Sequence, residues 1–248
     1  GDLDVNAGKI GDKVEFIANA DSRIIGLTLG GAIKIAKAEA NATGVAEAYL
    51  GATNGRNRGG LEGALLDING AVNVEAYSDT DAKAVTRGGG GGTVTVSDLK
   101  PFADAGGATR AYAGDGLDIH STSLNLTANG DARSDADISN FDFSLLASIQ
   151  SLTPTARTSN AVDAYLGNNA DVAAPHRADV QVYNISGGRG AVTLTATGDT
   201  VAEADMLSVS GSLIAGVTVI TTKAEMAGAT RAYVGKDTDL FAGSVTLN

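Results

Sequence analysis

The sequence predicts an all-β protein, a right-handed parallel β-solenoid built from about four repeats of roughly 60 residues. Three observations point there. First, a tyrosine unit recurs: Ala108-Thr-Arg-Ala-Tyr-Ala-Gly114 returns almost letter for letter at Ala229 to Gly235, with looser copies at Ala46 to Gly51 and Val162 to Gly167. Its tyrosines, Tyr49, Tyr112, Tyr165 and Tyr233, are 63, 53 and 68 residues apart. Second, short segments alternate apolar and polar residues between Gly, Asn and Asp, which is the signal of half-buried strands. Third, 43% of residues are apolar but only 4% aromatic, with no Trp, 33 Gly and 3 Pro. That composition suits a narrow interior filled by small side chains and many tight turns.

Taken in order, a second signature precedes each tyrosine unit: an alternating apolar triplet ending in Ala, with Asp three residues on. The copies are read at Val14 to Ala18 with Asp21, Val72 to Ala76 with Asp79, Leu124 to Ala128 with Asp131, and Val192 to Ala196 with Asp199. Val245 to Asn248 begins a fifth, and Gly1 to Val5 reads like Gly116 to Ile119. A third alternating segment lies between the signatures, at Ile33 to Ile35, Val94 to Val96 and Val217 to Val219, with an ambiguous copy around Ile149. Ala36 to Ala48 has helix-favouring composition, but its alternation runs into the Tyr49 unit and marks it as strand. Within the tyrosine strand, Arg110 and Tyr112 share one face while Thr109, Ala111 and Ala113 share the other. The small face is expected inside and the tyrosines outside.

A period near 60 divides into three coils of about 20 residues, stacked at about 4.8 Å, so some 12 coils would give a rod on the order of 60 Å long. Two coils of about 30 residues per unit is the rival division. Stretches 87–92, 97–106, 168–179 and 187–190 do not alternate and are expected to leave the rod as loops. A β-sandwich is the alternative fold, since regular short strands also suit it. Residues 1–248 form a single elongated domain on this reading, a segment of a longer repetitive chain or filament. It carries no obvious signal sequence and opens in mid-pattern.

A net charge of −11 argues against nucleic acid, which needs clustered Lys and Arg. Absence of Cys removes disulfides and thiolate metal sites. The best apolar run, 213–220, is far shorter than the roughly 20 residues that span a bilayer.

The progression Ala-x-Ala-Tyr-φ-Gly, polar turn, Asp-φ, φ-x-φ-x-Ala resembles the repeats of large secreted bacterial surface proteins, the filamentous-haemagglutinin-like and leukotoxin-type filamentous adhesins. The resemblance covers most of the chain through low-information letters. It implies a β-solenoid in an extracellular or cell-surface setting and a role in attachment, matrix or filament formation, with a carbohydrate or protein receptor as partner.

Candidate chemistry is sparse. Gly114-Asp-Gly-Leu-Asp118 is similar to part of a calcium-binding nonapeptide, so Ca2+ is the one cofactor considered. On the three-coil division, however, the recurrent aspartates Asp118, Asp171 and Asp239, or Asp21, Asp79, Asp131 and Asp199, lie about 14 Å apart, too far to share an ion. They are expected to be turn residues. Asp115, Asp118 and His120, and His176, Arg177 and Asp179, are local polar runs of the kind that would supply the acid and base of a carbohydrate-active β-helix enzyme, the alternative function. No second set aligns with either, so no catalytic residue is expected. Gly235-Lys236 lacks the rest of a phosphate loop. Gly55 to Gly60 and Gly187 to Gly190 carry arginines suited to anionic sugars, but read first as flexible loops. The outward stripe of Tyr49, Tyr112, Tyr165 and Tyr233 is the candidate surface contact, because Tyr offers apolar area and a polar tip. Neither end reads as a cap, so end-to-end self-association or continuation of the chain is expected.

Overall fold

The computed structural model describes residues 1–9, 11–51, 64–114, 117–167, 178–183, 187–236 and 238–248, and these form strands with no helix. The first repeat supplies β1 (Leu3–Ala7), β2 (Val14–Leu27) and β3 (Gly31–Leu50). The second supplies β4 (Ala64–Asp67) and the long, bending β5 (Ala71–Ala113). The third supplies β6 (Leu117–His120), β7 (Ser123–Leu152) and β8 (Thr155–Leu166). The fourth supplies β9 (Ala178–Tyr183), β10 (Ala191–Ser212), β11 (Ala215–Ile220), β12 (Lys223–Met226) and β13 (Ala229–Val234). Then follow β14 (Thr238–Phe241) and β15 (Ser244–Leu247).

Every ladder among these strands is parallel, and each joins equivalent residues of consecutive repeats. Leu3, Val72, Leu124, Val192 and Val245 form one column, and Tyr49, Tyr112, Tyr165 and Tyr233 another. A repeat is therefore one layer of the stack, not three coils or two, and the expected rod of some 12 coils shortens to four full layers. The reason is chemical identity between repeats: one repeat per layer puts tyrosine on tyrosine and alanine on alanine, which no internal division of a repeat achieves. Two alignments also shift. The first copy of the triplet signature is Leu3 to Ala7, so Gly1 to Val5 does not match Gly116 to Ile119, and Val14 pairs with Ser78. The third copy of the middle segment is settled, with Ile149 between Val96 and Val217.

Stretches 87–92 and 97–106 are not loops but parts of β5, because neighbouring layers satisfy their backbone groups whatever their side chains. The glycine corner before the tyrosine strand needs its residue type. Gly107 has φ of 136°, and a Cβ there would lie 2.0 Å from the Gly44 carbonyl oxygen.

Each layer runs out along one arm and back along another. At the wide end Val72, Val74, Leu124 and Leu126 pack on Ala111, Ala164 and Leu166, with Ile119, Val180 and Val182 of the small β4-β6-β9-β14 sheet closing the third side. The arms then narrow to a neck whose inward residues are mostly alanines: Ala82, Ala84, Ala132 and Ala136 face Ala38, Ala40, Ala103, Ala105 and Ala156. Alanine predominates at the inward sites, joined by the small Thr80, Ser134 and Thr158, and side chains this small let the walls approach more closely than the roughly 10 Å usual between sheets. Beyond Leu99, Ile138 and Leu152 the pattern inverts. Ile33 and Ile35 point outward, while Lys34, Thr95, Ser97, Asn140, Asp142, Ser148 and Gln150 are buried.

The neck has no spare volume, so enlarging one alanine should cost about 1–3 kcal/mol. Ala84→Leu is expected to lower the denaturation midpoint accordingly. Ala82→Ser should be nearly neutral, because Ser134 already occupies that column.

Candidate functional site

In the tyrosine strand, period-two alternation puts the side chain two residues before each Tyr on the tyrosine face. Up the stack this position reads Glu47, Arg110, Asp163, Arg231, a column of alternating charge. Arg110 Nη1 donates to Glu47 Oε1 at 2.8 Å, and Arg231 donates to both oxygens of Asp163 at 2.7 and 3.1 Å. Arg110 Nε also lies 3.8 Å from Asp163 Oδ2, so the buried Asp163 sits between two guanidinium groups. Burial disfavours the Arg110 charge, but its hydrogen bond to Glu47, the Glu47 charge and the neighbouring Tyr165 and Asp163 more than offset it, and its pKa is raised.

Beside this column the tyrosine rings stack face to face at 5.2, 4.7 and 5.2 Å between centroids, within 10° of parallel. The expectation that all four point into solvent is corrected. Tyr112 is 1% exposed and Tyr165 0%, and the faces of both rings are covered above and below by the next; Tyr49, at the end, is 39% exposed. Tyr233, in the fourth layer, is partly buried and carries the Arg231 guanidinium 5.8 Å from its ring centre. The four residues form a ladder whose ends, and not its length, are presented outward.

The end layers are chemically unfinished. Among the described residues β1, β2 and β3 pair only with β5, and β11, β12 and β13 only with β7 and β8. Leu152 in the third layer is fully buried, whereas Ile220 above it in the same column is 51% exposed. Each end thus offers a row of free backbone donors and acceptors beside apolar side chains.

The polar candidates do not gather into one place. His120 on β6 meets the Tyr183 ring edge-on at 5.6 Å and shares a column with Asp67. Asp118 pairs with Gln181, and Asp179 with Asp239, through the backbone. Asp115, Asp171, His176, Arg177 and stretch 55–60 lie outside the described residues. Asp79, Asp131 and Asp199 do form a column, one layer apart and not 14 Å, with Lys13 paired to Asp131. Among the described residues no group of three or more His, Asp or Glu is placed to hold a metal, and no helix is long and apolar enough to cross a membrane.

The charge column was the signal that sequence reading passed over: the two near-identical tyrosine units carry Arg, and the two looser ones carry an acid. No protein-family model, curated protein or solved structure matches the chain.

A ring held between two others contributes more than one at the end. Tyr112→Ala should cost about 3–5 kcal/mol, the range for deleting a buried aromatic. Tyr49→Ala should cost clearly less, as read by chemical denaturation of each variant.

Proposed function

We propose that the chain is a structural repeat segment of an extracellular bacterial fibre or adhesin, and that its stack is a right-handed parallel β-solenoid with one turn per repeat. The observation that carries this reading is the column-by-column identity of successive layers together with the unpaired edges of both end layers. Such a stack has no natural thickness: any layer that completes the columns gains backbone bonds, a further tyrosine on the ladder and burial of residues such as Ile220. The resemblance to filamentous adhesin repeats supports the extracellular setting.

Charge alternation gives growth a direction. The fourth layer presents Arg231 and the first presents Glu47. Adding a first-layer unit on the fourth layer continues the alternation, whereas two fourth layers meeting would oppose arginine to arginine. Further repeats in one polypeptide satisfy this without rearrangement. Separate copies meeting in register would bring β1 of one and β15 of the other to the same column, since both pair where Val72 and Val192 stand. One of these short strands must then yield.

Electron microscopy and fibre diffraction of the intact material test the proposal. Rods or filaments with a meridional spacing near 4.8 Å are expected. Compact, monodisperse particles whose two ends are capped would overturn it.

A further inference from the structure

The outer face of the tip is apolar where a solvated surface would be polar. Ile25 and Leu27 of the first layer, Phe141 and Phe143 of the third, and Leu213 of the fourth all stand in solvent, with Phe143 64% exposed. Between the first and third layers the equivalent positions of β5 are Gly89 and Gly91. A row without side chains, flanked by ridges two layers apart, leaves a trough about 9.5 Å across from backbone to backbone. It comprises two neighbouring recesses of about 770 and 470 Å³ that share Leu27 and Phe143.

The glycines fall into two groups. Gly88 and Gly90 point inward and are required there: a Cβ at Gly88 would lie 2.4 Å from Asn140 Oδ1, and one at Gly90 2.3 Å from the Gly26 carbonyl oxygen and 3.1 Å from Lys34 Nζ. They clear the path by which Lys34 reaches past the second layer to its buried ion pair with Asp142. Gly89 and Gly91 point outward and have no such duty. A Cβ at Gly89 would meet nothing nearer than 3.8 Å, and one at Gly91 the flexible end of Leu27 at 3.3 Å and, in ordinary contact, the Phe143 carbonyl oxygen at 3.6 Å. Neither has a positive φ. Glycine weakens a strand interior, and the same columns accept Phe141, Val209 and Phe143 in other layers. What these two glycines provide is the empty trough itself.

One end of the trough is cationic. Arg23 and Arg87 share a column beside it. Arg87 is paired with Asp21, while Arg23 has no ion-pair partner among the described residues. No acidic side chain lines either recess. An apolar channel with a guanidinium at its mouth matches a molecule with an apolar tail and an anionic head. A sugar would find few hydrogen-bonding groups along the channel. An added peptide strand would find no free edge, because β5 is paired on both sides here. A second copy docking face to face would set arginine against arginine.

We propose that this trough is a binding site for a single-chain anionic amphiphile of the fatty-acid class, the acyl chain lying over Gly89 and Gly91 between the Ile25-Leu27 and Phe141-Phe143 ridges and the carboxylate meeting Arg23. The site is independent of whether the chain forms filaments.

Calorimetric titration of dodecanoate, below its micellar concentration, into the 248-residue chain tests this. Saturable binding at one site is expected. The Gly89→Val/Gly91→Val variant should keep its circular dichroism and melt no lower, because valine favours strands, yet lose saturable binding. Arg23→Gln should weaken dodecanoate about tenfold while leaving dodecanol unaffected, as expected for one charge-assisted contact. Absence of saturable binding by the native chain overturns the proposal, as does a folded double variant that binds as before. Binding confined to anionic lipid vesicles, with free dodecanoate ignored, would also overturn it and mark the face as a membrane-contact surface.

Discussion

Parallel, in-register pairing of equivalent residues is the constraint on which everything else in this molecule depends. Each residue is stacked on its own counterpart, so every side-chain choice is made four times over, and a choice that suits itself is amplified. Tyrosine suits itself, as the ladder from Tyr49 to Tyr233 shows. So does asparagine, with the Asn125 amide donating to Asn73 at 2.8 Å. Charge does not, and the sequence handles it by alternating sign at Glu47, Arg110, Asp163 and Arg231. Where acids do crowd, a cation intervenes. Lys83 bonds Asp135 at 2.5 Å and lies 3.3 Å from Asp137. The Lys83 pKa is raised chiefly by its hydrogen bond to Asp135, while burial, followed by the neighbouring Asp135, raises that of Asp137.

The same constraint lets the cross-section change character from one end to the other. At the wide end three walls meet around Val, Leu and Ile. In the neck two walls leave room only for small residues, chiefly Ala. At the tip the inside is polar, with Asp142 accepting from Ser97 at 2.5 Å, Asn140 at 3.0 Å and Gln150 at 3.2 Å, besides its pairing with Lys34. Burial pushes the Lys34 pKa down, so the acceptors and donors around Asp142 must be satisfied together for the cluster to be tolerated. Gly88 and Gly90 make the space for it. With the polar side chains turned in, the alternation of each strand turns Ile, Leu and Phe out, and the apolar trough is the other face of one arrangement.

Alternation and repetition made the all-β class, the strand at 36–48, the tyrosine column and the Val72-Leu124-Val192-Val245 column legible in the sequence. Period two states which residues share a face but not which face is inside. Hence Tyr112 and Tyr165 were expected in solvent, and Ile33 to Ile35 gave no hint that Lys34 was the buried member. The repeat length near 60 likewise does not state how many times the chain crosses a layer. That number was recoverable from charge: an acid, a base, an acid and a base at one position of four successive units make sense only if those units touch. The trough was not legible, because a run of five glycines reads as a loop until its neighbours in the stack are known.

One repeat per layer is the central claim, and a distance between equivalent residues tests it most directly. Glu39 in the first layer and Lys223 in the fourth share a column through Phe102 and Thr155, and both are exposed. The chain has no cysteine, so spin labels on Glu39→Cys/Lys223→Cys report on these two sites alone. Three layer steps predict a Cα separation of about 14 Å. A separation of about 29 or 43 Å, as two or three coils per repeat would give, would contradict the account.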